Sequence, residues 1–197
     1  MIFIQHIKKW IRRGFMIEKK LKEKYAELAL RTGVNLQAGQ SLLLNAPIEG
    51  ADFTRIVVRK AYELGAKNVH VHWVDDELTL LKYENAPDDV LSQYPEWLVN
   101  MQEAFAEDGG AVLSIRSTNP DLLETIDPQK VAIASKAAAQ ALSNFRKYIM
   151  NDKITWSIIS IPTGDWAQKI FPHSNREQAI SQLCEAIIKI VLVDQAE

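Results

Sequence analysis

Two short apolar runs with a helical pattern between them decide the fold of this 197-residue chain. The first run is SLLLN at residues 41–45, and the second is NVHVHWV at residues 68–74. Between them, apolar residues recur at helical spacing over residues 51–64, and Gly65 follows as a stop signal. A strand, a helix and a second strand in this order predict a βαβ unit with parallel strands and a right-handed crossover.

The same unit recurs along the rest of the chain. Further strands are predicted at residues 111–115 and 154–161, and further helices at residues 17–32, 96–107, 128–150, 166–170 and 176–191, with a short helical piece opening at residue 87. Gly33 stands where a left-handed cap would end the first helix. The alternation predicts an α/β fold, a three-layer domain in which a mostly parallel sheet of about four strands has helices on both faces. Because no linker-like or low-complexity stretch interrupts residues 16–193, we expect a single domain there.

Composition sets limits on the function. Hydrophobic residues make up 47% of the chain and charged residues 24%, as in ordinary folded proteins. The net charge of −2 predicts no global attraction to nucleic acid or to an anionic membrane, and no apolar run approaches the roughly 20 residues of a membrane-spanning helix. Cys184 is the single cysteine and falls in an apolar helical stretch, so we expect a small buried thiol, a reducing compartment and a cytoplasmic location.

Residues 1–15 (MIFIQHIKKWIRRGF) differ in character from the rest. They contain four basic residues and no acidic one, and their isoleucines recur at helical spacing. The order of charged and apolar residues does not fit a secretory signal. We interpret this segment as a basic leader or an extended start ahead of Met16; an amphipathic helix lying on a membrane surface is the alternative.

The most suggestive local pattern is His70-Val71-His72 followed by Asp75-Asp76. Alternation along a strand places His70 and His72 on one face, where two imidazoles could share a metal ion with carboxylates from the strand end. The alternative is that helices cover this face and both histidines are packed and hydrogen-bonded, with the aspartates acting as helix caps. The second interpretation is favoured, because a motif this short often matches by chance.

Other chemistry has little support in the sequence. The loop after the first strand lacks the glycine-rich cradle of a dinucleotide site, and no Walker A pattern occurs. Ser114 and Ser160 fall in apolar strands without the motif of a nucleophile elbow. We therefore predict neither catalytic nor cofactor-binding residues, and we keep His70 and His72 as the sole metal candidates.

Several longer motifs carry a family resemblance. They include YAELA at residues 25–29, YENAP at residues 83–87 and PTGDWAQKIFP at residues 162–172. In this order they resemble the N-terminal domain of the thermophilic metalloprotease family, the aminopeptidase T, aminopeptidase S and PepS group. The last two motifs are the most specific, because apolar periodicity alone would not produce them.

The resemblance implies an aminopeptidase that removes N-terminal amino acids from peptides. Members resemble one another in having an α/β N-terminal domain and then a catalytic domain, which binds a pair of divalent metals, usually cobalt or zinc, through glutamate, histidine and aspartate. Those ligands lie C-terminal to the matched region, so the resemblance implies a truncated chain with no cofactor of its own that is inactive alone and meets peptides only through the missing domain.

Two kinds of partner follow from the resemblance. Family members resemble one another in being homodimers, so we expect self-association or pairing with a full-length aminopeptidase paralogue, with Trp166 and Phe171 forming an exposed patch. The alternative function is a stand-alone assembly or small-molecule-binding α/β module.

Overall fold

The structure, a computed structural model, describes residues 19–117 and 119–191. The leader predicted at residues 1–15 lies outside the described residues. The strands are β1 (Ser41–Pro47), β2 (Asn68–Val74), β3 (Ala111–Arg116) and β4 (Trp156–Ser160). The helices are α1 (19–28, running on into a π-helical turn at Ala29–Gly33), α2 (Ala51–Glu63, preceded by a 3-10 turn at Ile48–Gly50), α3 (Asp76–Asn85), α4 (Asp88–Leu91), α5 (Glu96–Glu107), α6 (Pro128–Ala141), α7 (Ser143–Met150), α8 (Gly164–Ile170) and α9 (Arg176–Ile190).

The four strands form one parallel sheet in the order β2-β1-β3-β4. After β1 the chain crosses to one side of the sheet to form β2, and it later returns to the other side of β1 to form β3. Helices lie on both faces, so the predicted three-layer α/β fold is confirmed. In such doubly wound sheets, the point where the strand order reverses, here between β1 and β3, is where ligands bind.

One face of the sheet, the covered face, carries the main core. Leu42 and Leu44 of β1 and Leu113 of β3 are fully buried there. They pack with side chains of α1, α2, α8 and α9, including Leu30, Phe53, Val57, Ala167 and Leu183. Burial of this apolar surface is the main force that holds these helices on the sheet.

The opposite face, the open face, is covered over only part of its area. Leu43 and Val112 pack with Ala106 of α5 and Phe145 of α7 in a smaller cluster. Beyond that cluster, Trp156 and Ile158 of β4 remain 45% and 52% exposed. The second helical layer therefore leaves the β4 side of this face open.

Tyrosine hydroxyls bond to the outer backbone of both edge strands. The Tyr25 hydroxyl of α1 donates to the Ser160 carbonyl oxygen at 3.0 Å, and the Ser160 amide donates to the same hydroxyl at 3.3 Å. At the other edge, the Val69 amide of β2 donates to the Tyr62 hydroxyl at 3.2 Å. Burial raises the pKa of Tyr25, so it stays a neutral donor.

The glycine predicted to end α2 is confirmed in that role, whereas the glycine predicted to end α1 is not. Gly65 has φ +90°, and the amides of Gly65 and Ala66 donate to the carbonyls of Tyr62 and Ala61, which is a Schellman cap. Gly33 instead stays within the π-helical turn, and Asn35 takes the left-handed conformation with φ 48°. Asparagine tolerates that region better than most residues, which makes it the second choice after glycine.

Two further expectations need correction. The alanine-rich stretch predicted as one helix over residues 128–150 is divided at Leu142 into α6 and α7, and this division lets Phe145 reach the open face while α6 packs on α4. Trp166 and Phe171 are half-buried and pack against the main core, so the exposed patch predicted for them is wrong. Within the described part of the chain, no helix is long and apolar enough to cross a membrane.

Candidate ligand site at the carboxyl edge of the sheet

Strand register arranges the side chains of the open face in three rows across the sheet. Because paired residues on neighbouring strands share a face, a complete row takes one residue from β2, β1, β3 and β4 in turn. From the amino end, the two complete rows are His70, Leu43, Val112 and Trp156, and then His72, Asn45, Ser114 and Ile158. The third row is incomplete, because Val74 pairs with Pro47 and Arg116 pairs with Ser160, while the pairing of β1 with β3 ends at Asn45 and Ser114.

The middle row forms a hydrogen-bonded chain across three strands. The Asn45 side-chain amide donates to the Ser114 hydroxyl at 3.2 Å, and the Asn45 carbonyl oxygen lies 3.2 Å from Nδ1 of His72. With the amide in this orientation, His72 Nδ1 must carry the proton and donate it to Asn45. This chain of hydrogen bonds crosses from β1 to β3, the point where the strand order reverses.

A cavity of about 370 Å³ lies against these rows. Its floor is apolar where Leu43, Val112 and Phe145 line it, and polar where Asn45 and Ser114 do. Gln102 of α5 and the segment that follows β3 also contribute to the wall. This size and this mixture of an apolar lining with a few convergent polar groups are typical of small-molecule sites.

Opposite charges line the cavity from different elements of the fold. Asp76, at the start of α3, follows β2, and Arg116 is the last residue of β3. Burial raises the pKa of Asp76, and the neighbouring carboxylates, Glu49 and Asp75 foremost, raise it further. No carboxylate among the described residues forms an ion pair with Arg116.

The two candidate histidines share a face, as predicted, but they are exposed rather than packed under helices. The predicted packing is therefore wrong, whereas the hydrogen bond of His72 to Asn45 agrees with the same interpretation. Only His72 lines the cavity. The Asp75 carboxylate accepts the Glu77 and Leu78 amides at 2.9 and 3.2 Å, so it serves as a helix cap.

The residues present do not fit a metal pair. Within residues 19–117 and 119–191, no group of three or more histidine, cysteine, aspartate or glutamate side chains converges as a metal site would require. One ring nitrogen of His72 is hydrogen-bonded to Asn45, and the Asp75 carboxylate accepts hydrogen bonds from backbone amides. The cavity therefore offers hydrogen-bonding groups and two opposite charges.

Sequence reasoning missed Asn45, Ser114 and Arg116. Each is a polar residue in the carboxyl half of a mostly apolar strand, and that contrast was the available signal. From the sequence, Ser114 is weighed only as a nucleophile, and Asn45 is placed at the end of the first strand without an assigned role. Their convergence depends on β1 and β3 being neighbours, which adjacent sequence does not reveal.

Comparison with known proteins gives a consistent result. The family model described as thermophilic metalloprotease (M29) matches residues 18–197. Aminopeptidase 2 of Geobacillus stearothermophilus is 49% identical over 178 residues, which cover 90% of this chain and 43% of that protein. Aminopeptidase T of Thermus thermophilus is 38% identical over 180 residues, covering 91% of this chain and 44% of that protein.

A solved structure agrees with the sequence relatives. Wild-type AmpT from Thermus thermophilus superposes with a TM-score of 0.81 at 37% identity, covering 86% of this chain and 43% of that one. The described residues thus form a doubly wound α/β fold with a cavity at its switch point. The chain belongs to the thermophilic metalloprotease (M29) family, matches the N-terminal part of that family, and spans less than half the length of these relatives.

Proposed function

We propose that this chain serves as the N-terminal, non-catalytic domain of a metal-dependent aminopeptidase. The observation that carries the proposal is its match, over about 43% of their length, to relatives named aminopeptidases. The family description implies a metal for the full-length protein. On this proposal, the ligands of a cobalt or zinc pair lie in the part of the family that these 197 residues do not span.

The donor set of the described residues supports this division of labour. A two-metal site binds and polarises an attacking water with several carboxylate and imidazole ligands around ions about 3.5–4 Å apart. Here the cavity brings together a single imidazole and a single carboxylate, those of His72 and Asp76. We therefore assign no catalytic step to this cavity.

The proposal predicts no aminopeptidase activity for the 197-residue chain by itself. Purified chain is incubated with leucine p-nitroanilide in the presence of cobalt or zinc, and release of p-nitroaniline is followed by absorbance. Aminopeptidase T of Thermus thermophilus under the same conditions is the positive control. Turnover that a chelator abolishes would contradict the proposal.

A second proposed role is assembly, either with another copy of the chain or with a full-length aminopeptidase. It is supported by the open face, where Trp156 and Ile158 are about half exposed on a strand that the second helical layer does not cover. Large exposed apolar groups side by side are typical of interaction surfaces. The absence of any disulfide-forming pair, since Cys184 is the single cysteine, accords with a cytoplasmic setting for this assembly.

Light scattering tests self-association. We expect a mass above that of the 22.3 kDa monomer at high concentration, and a return towards the monomer mass when Trp156→Ser and Ile158→Ser are combined. Ile190→Ser, which replaces an isoleucine that is 79% exposed on α9, is the matched control and should leave the mass unchanged. A monomer at every concentration, with no complex formed with a purified full-length M29 aminopeptidase, would contradict the assembly role.

A further inference from the structure

The cavity at the switch point has a charge arrangement that neither the family match nor the proposed function explains. Asp76, two residues beyond the end of β2, and Arg116, the last residue of β3, both line it, and β2 and β3 lie on either side of β1. Glu49, Asp75 and Asp165 act on the charge of Asp76, so negative charge from several elements gathers around Asp76. The Arg116 side is positive.

Strand spacing gives the distance between the two charged sides. His72, Asn45 and Ser114 occupy one row, and neighbouring strands are about 4.8 Å apart, so the backbones at His72 and Ser114 are separated by about 10 Å. Asp76 follows His72 by four residues, and Arg116 follows Ser114 by two. A ligand that meets both charges must therefore carry its own opposite charges several ångströms apart.

Peptides of two or three residues with free termini meet this requirement. An extended chain spans about 3.3–3.6 Å per residue, so such peptides reach about 7–10 Å from ammonium to carboxylate. A free amino acid carries both charges on one Cα and is too short. The cavity volume of about 370 Å³ is in the range of sites that enclose small ligands.

Neutral groups between the two charges suit a peptide backbone. The Asn45, Ser114 and His72 side chains form a linked chain of donors and acceptors along the middle row. Nδ1 of His72 is used by Asn45, which leaves the other ring nitrogen as an acceptor. Leu43, Val112 and Phe145 offer apolar contact for side chains.

We propose that this cavity binds a dipeptide or tripeptide with both termini free, its ammonium group facing Asp76 and its carboxylate facing Arg116. The ligand class rests on the proposed aminopeptidase function, because peptides with a free amino terminus are what an aminopeptidase acts on. The site itself is one of binding without chemistry, on the domain to which we assign no metal ligands.

The test is a titration of the isotopically labelled 197-residue chain followed by amide and side-chain NMR. The probes are tri-alanine, N-acetyl-tri-alanine and tri-alanine amide. We expect saturable shifts at the Asn45 side-chain amide and near residue 117 with tri-alanine. Each blocked peptide should bind about 10-fold more weakly, because each loses one hydrogen-bonded charge.

Variants assign the two ends. Arg116→Met should weaken the binding of tri-alanine about 10-fold and leave the binding of tri-alanine amide unchanged. Asp76→Asn should also weaken the binding of tri-alanine about 10-fold, but it should leave the binding of N-acetyl-tri-alanine unchanged. Arg55→Met removes an exposed arginine that pairs with Asp52 on α2, and it should change nothing. Circular dichroism checks that each variant is folded.

Two results would overturn the inference: no saturable shift at millimolar tri-alanine, or equal affinity for the free and the blocked peptides. Neither bears on the assay with leucine p-nitroanilide. Turnover by the chain would contradict its non-catalytic role whatever the titration gives, whereas loss of binding without turnover would remove this inference alone.

Discussion

The two faces of the sheet use the same strands for different purposes. On the covered face, Leu42, Leu44 and Leu113 are fully buried under four helices. On the open face, the same strands carry Asn45, which follows Leu44, and Ser114, which follows Leu113, and these two side chains hydrogen-bond to each other beside a cavity. The difference indicates that stability resides on the covered face, which leaves polar residues on the open face free to bind a ligand.

The largest expected effect comes from removing a side chain from the covered face. Leu44→Ala should lower the free energy of unfolding by about 2–5 kcal/mol, because it leaves a cavity in a close-packed core. Val74→Ala, on the open face where the side chain is 40% exposed, should cost less than about 1 kcal/mol. Chemical denaturation measures both, and equal losses would show that the two faces contribute alike.

The next effect concerns the hydroxyl that fastens α1 on the covered face to β4. Tyr25→Phe leaves the part-buried backbone polar groups of Ser160 without their partner, so we expect a loss of about 1–3 kcal/mol. Tyr62→Phe removes the equivalent contact at Val69, but Tyr62 is 49% exposed and water replaces the hydroxyl. The control should therefore stay within about 0.5 kcal/mol, and a loss as large as that of Tyr25→Phe would contradict this reasoning.

A smaller effect is expected for the hydrogen-bonded chain on the open face. Asn45→Ala should cost about 0.5–1.5 kcal/mol, the usual net value of a hydrogen bond. It also removes the acceptor that keeps the proton on Nδ1 of His72. Nitrogen NMR of the histidine rings should show a change of tautomer at His72 and none at His70. An unchanged His72 spectrum would argue against the hydrogen bond between Asn45 and His72.

The smallest effect is electrostatic and depends on pH. Because the pKa of Asp76 in the folded chain lies above its ordinary 3.8, its charge destabilises the fold once it is ionised. Asp76→Asn should therefore raise the free energy of unfolding at neutral pH by less than about 1 kcal/mol, as measured by chemical denaturation. The gain should fall as the pH drops through the folded pKa, and it should vanish below 3.8, where both states are protonated.

Asp88→Asn is the matched control for this electrostatic effect. Asp88 is likewise the first residue of a helix, but it is exposed at the start of α4. Its substitution removes the same favourable interaction with a helix amino end without relieving burial. Stabilisation of equal size in both variants would contradict the assignment to the environment of Asp76.

Local sequence signals predicted most of the fold. The bounds of β2 and α5 agree with the prediction, because alternation in one and helical periodicity in the other are strong local patterns. Asp75 caps α3 and Asp127 caps α6, with Pro128 in the first turn, as their residue types indicate. The division at Leu142 was missed because it depends on the tertiary packing of Phe145, whereas the helix propensity of the alanines favours one continuous helix.

The cavity was much harder to predict. The alternation of His70 and His72 gave their shared face, but whether helices cover that face depends on where α5 and α7 pack. The partners of Asn45 come from β2 and β3, which lie 27 and 69 residues further along the chain. Strand order and register decide such contacts, and neither is written in adjacent residues.

The two tyrosines at the sheet edges have a consequence for behaviour in concentrated solution. An edge strand with free outward amides and carbonyls is a template on which strands of other molecules add, and this is a common route to aggregation. Tyr25 occupies the outward groups of Ser160 on β4, and Tyr62 occupies the Val69 amide on β2. The occupied groups lie near the amino end of β2 and at the carboxyl end of β4. A strand from another molecule therefore cannot hydrogen-bond along the whole of either edge.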